Sequence, residues 1–346
     1  MGKLSTEVKV IGVNAGLGVA LFPFKNNLLL NIENRGVFHT KNSEQWEANF
    51  RGIPLYERLH LNKDLIKKID ILISSPDCGS GSILRLSRAK QYGNHKENHS
   101  LLMFFEAVDF YKPKIFLFEN LEALFKSLPE KDFDTLLGDY RLIKHTASVK
   151  HFGNSQVNRK RLVIVGIRRD LPKKLLKYFK LPDYSNRIKD CQSIYGDLGI
   201  EPNIELCHVR EPQSDVISIH AGKRMSIAEI TDTWNGALRG KSRWHLFYPG
   251  YKFTTAPGVY KNPATAYPAT ARKANRQFDH LGLMLSPRQL ARVMGVPDKF
   301  KLHFDTARPG YWINKGRTCV TKGMVYEVSK WFKRQLIKSE HIWLHQ

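Results

Sequence analysis

The stretch Ile69-Asp70-Ile71-Leu72-Ile73-Ser74-Ser75-Pro76-Asp77-Cys78-Gly79-Ser80-Gly81-Ser82 begins as a short isoleucine-rich run and breaks at proline into a loop of glycine and serine. A continuous apolar run of this length, bounded by a breaker, reads as a strand of a parallel sheet buried on both faces. Cys78 then stands just past the strand's carboxyl end, the edge at which open α/β sheets bind their ligands. A thiol on a polar loop is placed to act as a nucleophile. A small buried cysteine is the other reading, because most lone cysteines are packed in cores.

Working outward, three more apolar runs end in groups that can do chemistry. Val8-Lys9-Val10-Ile11-Gly12-Val13 leads into Asn14-Ala15-Gly16-Leu17-Gly18-Val19. A glycine pair separated by one residue directly after a strand lets the backbone turn tightly and approach a cofactor. Leu28-Leu29-Leu30-Asn31-Ile32 ends at Glu33, and an acidic residue at the end of a second strand is where nucleoside sites bond ribose hydroxyls. Lys114-Ile115-Phe116-Leu117-Phe118 ends in Glu119-Asn120. Glu33, Cys78 and Glu119 therefore fall at strand ends that a parallel sheet gathers on one edge, and a carboxyl group there suits proton transfer.

Further along, Gln156-Val157-Asn158-Arg159-Lys160-Arg161 enters the strand Leu162–Gly166. Arg159 and Arg161, two apart, share one side of an extended chain and could clamp an anion or a base. The remaining elements are helical: Ser43–Phe50, Ser100–Val108, Ser286–Gly295 with serine cap, early proline and closing glycine, and Met324–Ile337.

Charge is the strongest bulk signal. Lys+Arg number 55 and Asp+Glu 32 in 346 residues, a formal net charge of +23, which favours a polyanionic partner such as nucleic acid. Arg85 and Arg88 follow Cys78 in a long basic loop. Between about Leu181 and Gln277 the pattern is irregular, with Arg239, Lys241, Arg243, Arg272 and Lys273 interleaved with tryptophan and tyrosine. Basic and aromatic residues mixed in irregular structure suit phosphate and stacking contacts, so residues 185–281 read as a second, smaller domain set into a larger one of 1–184 and 282–346. The four cysteines, Cys78, Cys191, Cys207 and Cys319, form no CxxC pair, and no structural metal is expected. Neither a membrane span nor a signal peptide is visible, so a cytoplasmic protein is expected.

Taken in order, these motifs resemble the DNA (cytosine-5) methyltransferases over nearly the whole chain. Gly12-Val13-Asn14-Ala15-Gly16-Leu17-Gly18-Val19 is similar to the family's Asp-Leu-Phe-Ala-Gly-x-Gly-Gly, and Glu33 to its ribose ligand. Asn49-Phe50 fits the close of that region. Pro76-Asp77-Cys78 resembles the Pro-Pro-Cys nucleophile loop, and Glu119-Asn120-Leu121 the Glu-Asn-Val motif. Gln156 with Arg159 and Arg161 is similar to Gln-x-Arg-x-Arg with one added residue. Ser286 to Phe300 resembles the late helix and turn, and Gly316-Arg317-Thr318-Cys319-Val320 the closing Gly-Asn-(Ser/Ala)-Val. Departures from the pattern are Gly12 for aspartate, Asn14 for phenylalanine, Asp77 and Gly79 around the cysteine, and Arg317 for asparagine.

The resemblance implies a Rossmann-like α/β catalytic fold carrying an irregular, β-rich target-recognition domain. It implies S-adenosylmethionine held by Asn14, Ala15, Gly16, Leu17, Gly18, Glu33, Pro76 and Asn120. It implies chemistry by Cys78 as nucleophile with Glu119, Arg159 and Arg161, on double-stranded DNA, in a monomer that could have a restriction endonuclease as companion. Transfer to tRNA cytosine, a variant methylsulfonium donor and an inactive DNA-binding scaffold stay open at this point.

Overall fold

The computed structural model describes residues 2–16, 18–33, 46–57, 68–76, 99–126, 130–152, 160–182, 216–218, 224–226, 291–292, 295–301 and 324–346. Cys78, Leu17, Arg85, Arg88, Arg159, Arg239, Lys241, Arg243, Arg272 and Lys273 lie outside them. The chain divides into two compact units: 1–147 with 160–182 and 325–346, and 148–159 with 183–324.

The first unit is built on a seven-stranded sheet: β1 Val10–Val13, β2 Leu28–Glu33, β3 Leu55–Glu57, β4 Ile71–Ser74, β5 Ile115–Asn120, β6 Tyr140–Ser148 and β7 Lys160–Arg168, in the order β3-β2-β1-β4-β5-β7-β6. β3, β2, β1, β4 and β5 are mutually parallel. β7 runs antiparallel to β5, with Asn120 opposite Leu162. The chain steps outward from β1 to β3 and then returns to β4 on the other flank of β1, so the topological switch lies between β1 and β4. Sheets of this type bind ligands outside the carboxyl ends of the strands at that crevice. Because β7 is reversed, its first residues reach the same edge as the last residues of β5.

β4 and β5 are buried along their whole length, as strands covered on both faces must be. On one face lies α1, His99–Tyr111, whose Phe104, Ala107, Val108 and Tyr111 join Ile11, Val13, Leu72, Phe116 and Phe118 in one cluster. Phe104 stands 4.7 Å from Phe118, and Phe133 of α2, Glu130–Leu136, packs at 5.3 Å on Phe118. Burying each such ring is worth about 1.5–3 kcal/mol. Gly166 of β7 leaves room for the Phe116 ring, which a Cβ there would strike. The closing helix α3, Met324–Trp343, belongs to a second aromatic cluster, with Phe332 6.2 Å from Phe24 and 5.6 Å from Phe179.

The opposite edge of the sheet is tied by an ion pair. Asp70 accepts the Lys9 amide at 2.9 Å and the Lys114 ammonium at 3.1 Å, and the same ammonium donates to the Leu344 carbonyl at 2.7 Å. Both side chains are nearly buried. Asp70→Ala leaves the ammonium without its charge partner, so a loss of about 3–5 kcal/mol is expected. A thermal melt should show it as a fall of about 6–15 °C; an unchanged midpoint would show that this contact does not hold the edge together.

In the second unit, strands β8 Val216–Ser218 and β9 Arg224–Ser226 pair antiparallel. Ala291 and Arg292 are helical, and Gly295 takes φ 82° while Val296 N–H donates to Ala291 O and Gly295 N–H to Arg292 O, both at 2.9 Å. That is the left-handed glycine stop expected after the Ser286 helix. Among the described residues no helix is long and apolar enough to cross a membrane.

Candidate active site

The turn after β1 is made by residues in left-handed conformations: Asn14 at φ 54°, Gly16 at 65° and Gly18 at 85°. Asparagine tolerates that region better than an aromatic residue does, which gives a local reason for Asn14. Its amide N–H donates to Ile32 O at 2.8 Å, and its side-chain Nδ2 donates to Ser100 O at 2.7 Å, tying the turn to the first residues of α1. Gly18 also meets a packing limit, because a Cβ there would collide with the Phe50 ring and come within 3.0 Å of Trp46. Trp46 and Phe50 stack at 4.3 Å, so the 46–50 helix forms a wall beside the glycine turn. Glu33, at the end of β2, is buried, and its Oε1 accepts a hydrogen bond from Asn31 Nδ2 at 2.8 Å.

On the other flank of the switch point, Ser75 and Pro76 leave β4 buried. Glu119, only 5% exposed, is held on both oxygens: Ser75 Oγ donates to Oε2 at 2.7 Å, and Arg161 Nε reaches Oε1 at 3.1 Å. Asn120 Nδ2 donates to the Pro76 carbonyl at 3.3 Å, while its Oδ1 accepts the Leu121 amide at 2.8 Å. The ends of β4, β5 and β7 are thus laced together at the point where the chain departs toward Cys78.

The structure therefore places Asn14, Gly16, Gly18 and Glu33 at one flank of the crevice and Pro76, Glu119, Asn120 and Arg161 at the other; Ala15 is buried inside the turn. Two polar residues of this edge carried no role in the sequence reading. Ser75 stands before Pro76 as an ordinary serine in the sequence. Asn31 interrupts a leucine strand and is itself fully buried, and a buried polar residue calls for a partner. Among the described residues no group of three histidines, cysteines or acids could hold a metal.

A sheet of this order, with a glycine turn and an acidic second strand at the switch point and a carboxylate–guanidinium pair beside it, defines a Rossmann-like methyltransferase. The C-5 cytosine-specific DNA methylase family matches residues 15–314, and the chain belongs to that family. It is a cytosine-5 methyltransferase. Solved structures similar to it include an Entamoeba histolytica methyltransferase, EhMeth, at TM-score 0.61 and 13% identity, covering 96% of this chain and 99% of that one. A mutant of Spodoptera frugiperda DNMT2 gives TM-score 0.57 at 14% identity over 95% and 99%. An E. coli prophage-encoded protein described as a candidate DNA modification methyltransferase gives 0.54 at 17% over 95% and 99%. At these identities the likeness is one of fold. No curated protein matches the chain.

Proposed function

We propose that this enzyme moves the methyl group of S-adenosylmethionine to C5 of a cytosine flipped out of double-stranded DNA, through a covalent bond between Cys78 and C6. The observation that carries the reading is the Glu119 carboxylate, fixed by Ser75 and Arg161 beside the strand end from which the chain continues to Cys78. C5 of cytosine is too weak a nucleophile to be methylated directly. Addition of the Cys78 thiolate at C6 makes C5 carbanion-like, and Glu119 supplies the proton that N3 takes up as the C6–S bond forms. Arg161, with Arg159, holds the carboxylate and the base. When bound, S-adenosylmethionine would supply an electrophilic methyl group to C5; solvent then takes the C5 proton as the C6–S bond breaks and the thiolate leaves, and N3 returns its proton to Glu119.

The donor set at the β1–β2 edge fits that cofactor. A buried acid closes β2 to accept ribose hydroxyls, and the left-handed turn presents backbone instead of side chains. A duplex buries C5, so the base must leave the stack. Residues 185–281, with Arg239, Lys241, Arg243, Arg272 and Lys273, are assigned to reading the DNA, and Arg85 and Arg88 to the strand beside the flipped base. The reading extends to a cytoplasmic monomer, for which a restriction endonuclease is a fitting companion.

The test is to incubate the protein with mixed-sequence duplex DNA and S-adenosylmethionine, digest to nucleosides and weigh the cytosines. 5-Methylcytosine is expected. Unmodified DNA together with methylated cytosine in a parallel tRNA digestion would overturn the choice of substrate.

A further inference from the structure

Gly12 and Asn31 face each other across β1 and β2. Asn31 is 0% exposed, and its Oδ1 has no hydrogen-bond partner among the described residues. A Cβ on residue 12 would collide with that oxygen and lie 2.5 Å from Leu21 Cδ1. The amide can therefore occupy this position only because residue 12 is glycine, where the family pattern has aspartate. An orphaned buried oxygen costs stability, and an apolar residue would suit the leucine strand better on packing alone. What the amide gains is on its nitrogen. Nδ2 donates to Glu33 Oε1 at 2.8 Å and lies 3.4 Å from Gly16 O, spanning from the acidic strand end to the glycine turn.

We propose that Asn31 is a positioning residue for the cofactor's ribose: its amide, admitted by Gly12, sets the Glu33 carboxylate against the glycine turn so that it accepts the ribose hydroxyls. This rests on the assignment of Glu33 to S-adenosylmethionine.

The experiment titrates the full-length protein by calorimetry with S-adenosylhomocysteine and with its analogue lacking the 2′ and 3′ hydroxyls. Asn31→Ala should weaken S-adenosylhomocysteine about tenfold and leave the deoxy analogue within about twofold, so that the preference for ribose collapses. Asn31→Asp, equal in shape but with an acceptor facing Glu33, should weaken it at least as much, which separates the effect from a packing defect. Equal losses for both ligands, or no loss, would overturn the role of Asn31 while leaving the cofactor assignment standing. A wild-type protein that binds neither ligand would overturn the assignment of Glu33 and this inference with it.

Discussion

Glu119→Gln should slow methyl transfer by about a thousandfold, within the range removed when a general acid is lost, while affinity for duplex DNA changes little. The amide is nearly isosteric and still accepts the Ser75 hydroxyl bond, so the strand end keeps its shape. Two things are lost. The side chain no longer delivers a proton to N3, and the ion pair with Arg161 Nε at 3.1 Å becomes a neutral contact. A thousandfold in rate corresponds to about 4 kcal/mol of transition-state stabilisation. Single-turnover transfer of a labelled methyl group to saturating DNA isolates that step from binding and release. A rate within about threefold of wild type would remove Glu119 from the chemistry and leave the Ser75–Glu119–Arg161 cluster as a structural clasp.

That cluster also marks how far a linear reading of this chain reaches. The motif-bearing elements were legible because each ends a run of unusual composition: Ile71–Ser74 and Ile115–Asn120 are strands bounded by proline or by a carboxylate–amide pair, where the structure has them. Boundaries moved by a few residues where flanking charge misled. Lys9 and Asp70 lie outside β1 and β4 because they are engaged in the edge network, and β7 extends from Lys160 to Arg168 instead of stopping at Gly166. β3 and β6 carry no such signal. Tyr140–Ser148 carries arginine, lysine and histidine in Tyr-Arg-Leu-Ile-Lys-His-Thr-Ala-Ser, a pattern suited to the end of a sheet, where strands lack the unbroken apolar run of central ones.

The site shows the same division. Glu33 and Glu119, with Asn120 beside it, fall on one edge because strand ends in α/β sheets converge there, whereas Arg161 stands at a strand start, and convergence says nothing of pairing. The antiparallel register of β7, which brings Arg161 to Glu119, is a property of the whole sheet. Ser75 is likewise ordinary in sequence, a serine before a proline. Only the neighbouring strand makes its hydroxyl a donor to the Glu119 carboxylate. Gly12 looks like a defect in a motif until Asn31 is placed beside it.

Cys78→Ala should abolish methylation outright, below about one part in ten thousand of the wild-type rate, because on the proposed mechanism the reaction loses its nucleophile and not merely an accelerating group. Duplex binding should remain, since a small side chain is exchanged for another and the net charge of +23 that attracts the phosphates is untouched. The covalent step can be read apart from turnover. On DNA carrying 5-fluorocytosine, the wild-type protein should become linked to the strand in the presence of S-adenosylmethionine. After methyl transfer C5 has a fluorine where a proton would leave, so the C6–S bond cannot be broken. Denaturing gel electrophoresis then shows a protein–DNA band, which Cys78→Ala should lack. Stable linkage or methylation by the alanine variant would refute the thiolate mechanism and redirect attention to another nucleophile on the loop. Loss of linkage with DNA binding intact assigns the bond to one sulfur, two residues past the Pro76 carbonyl that accepts the Asn120 amide.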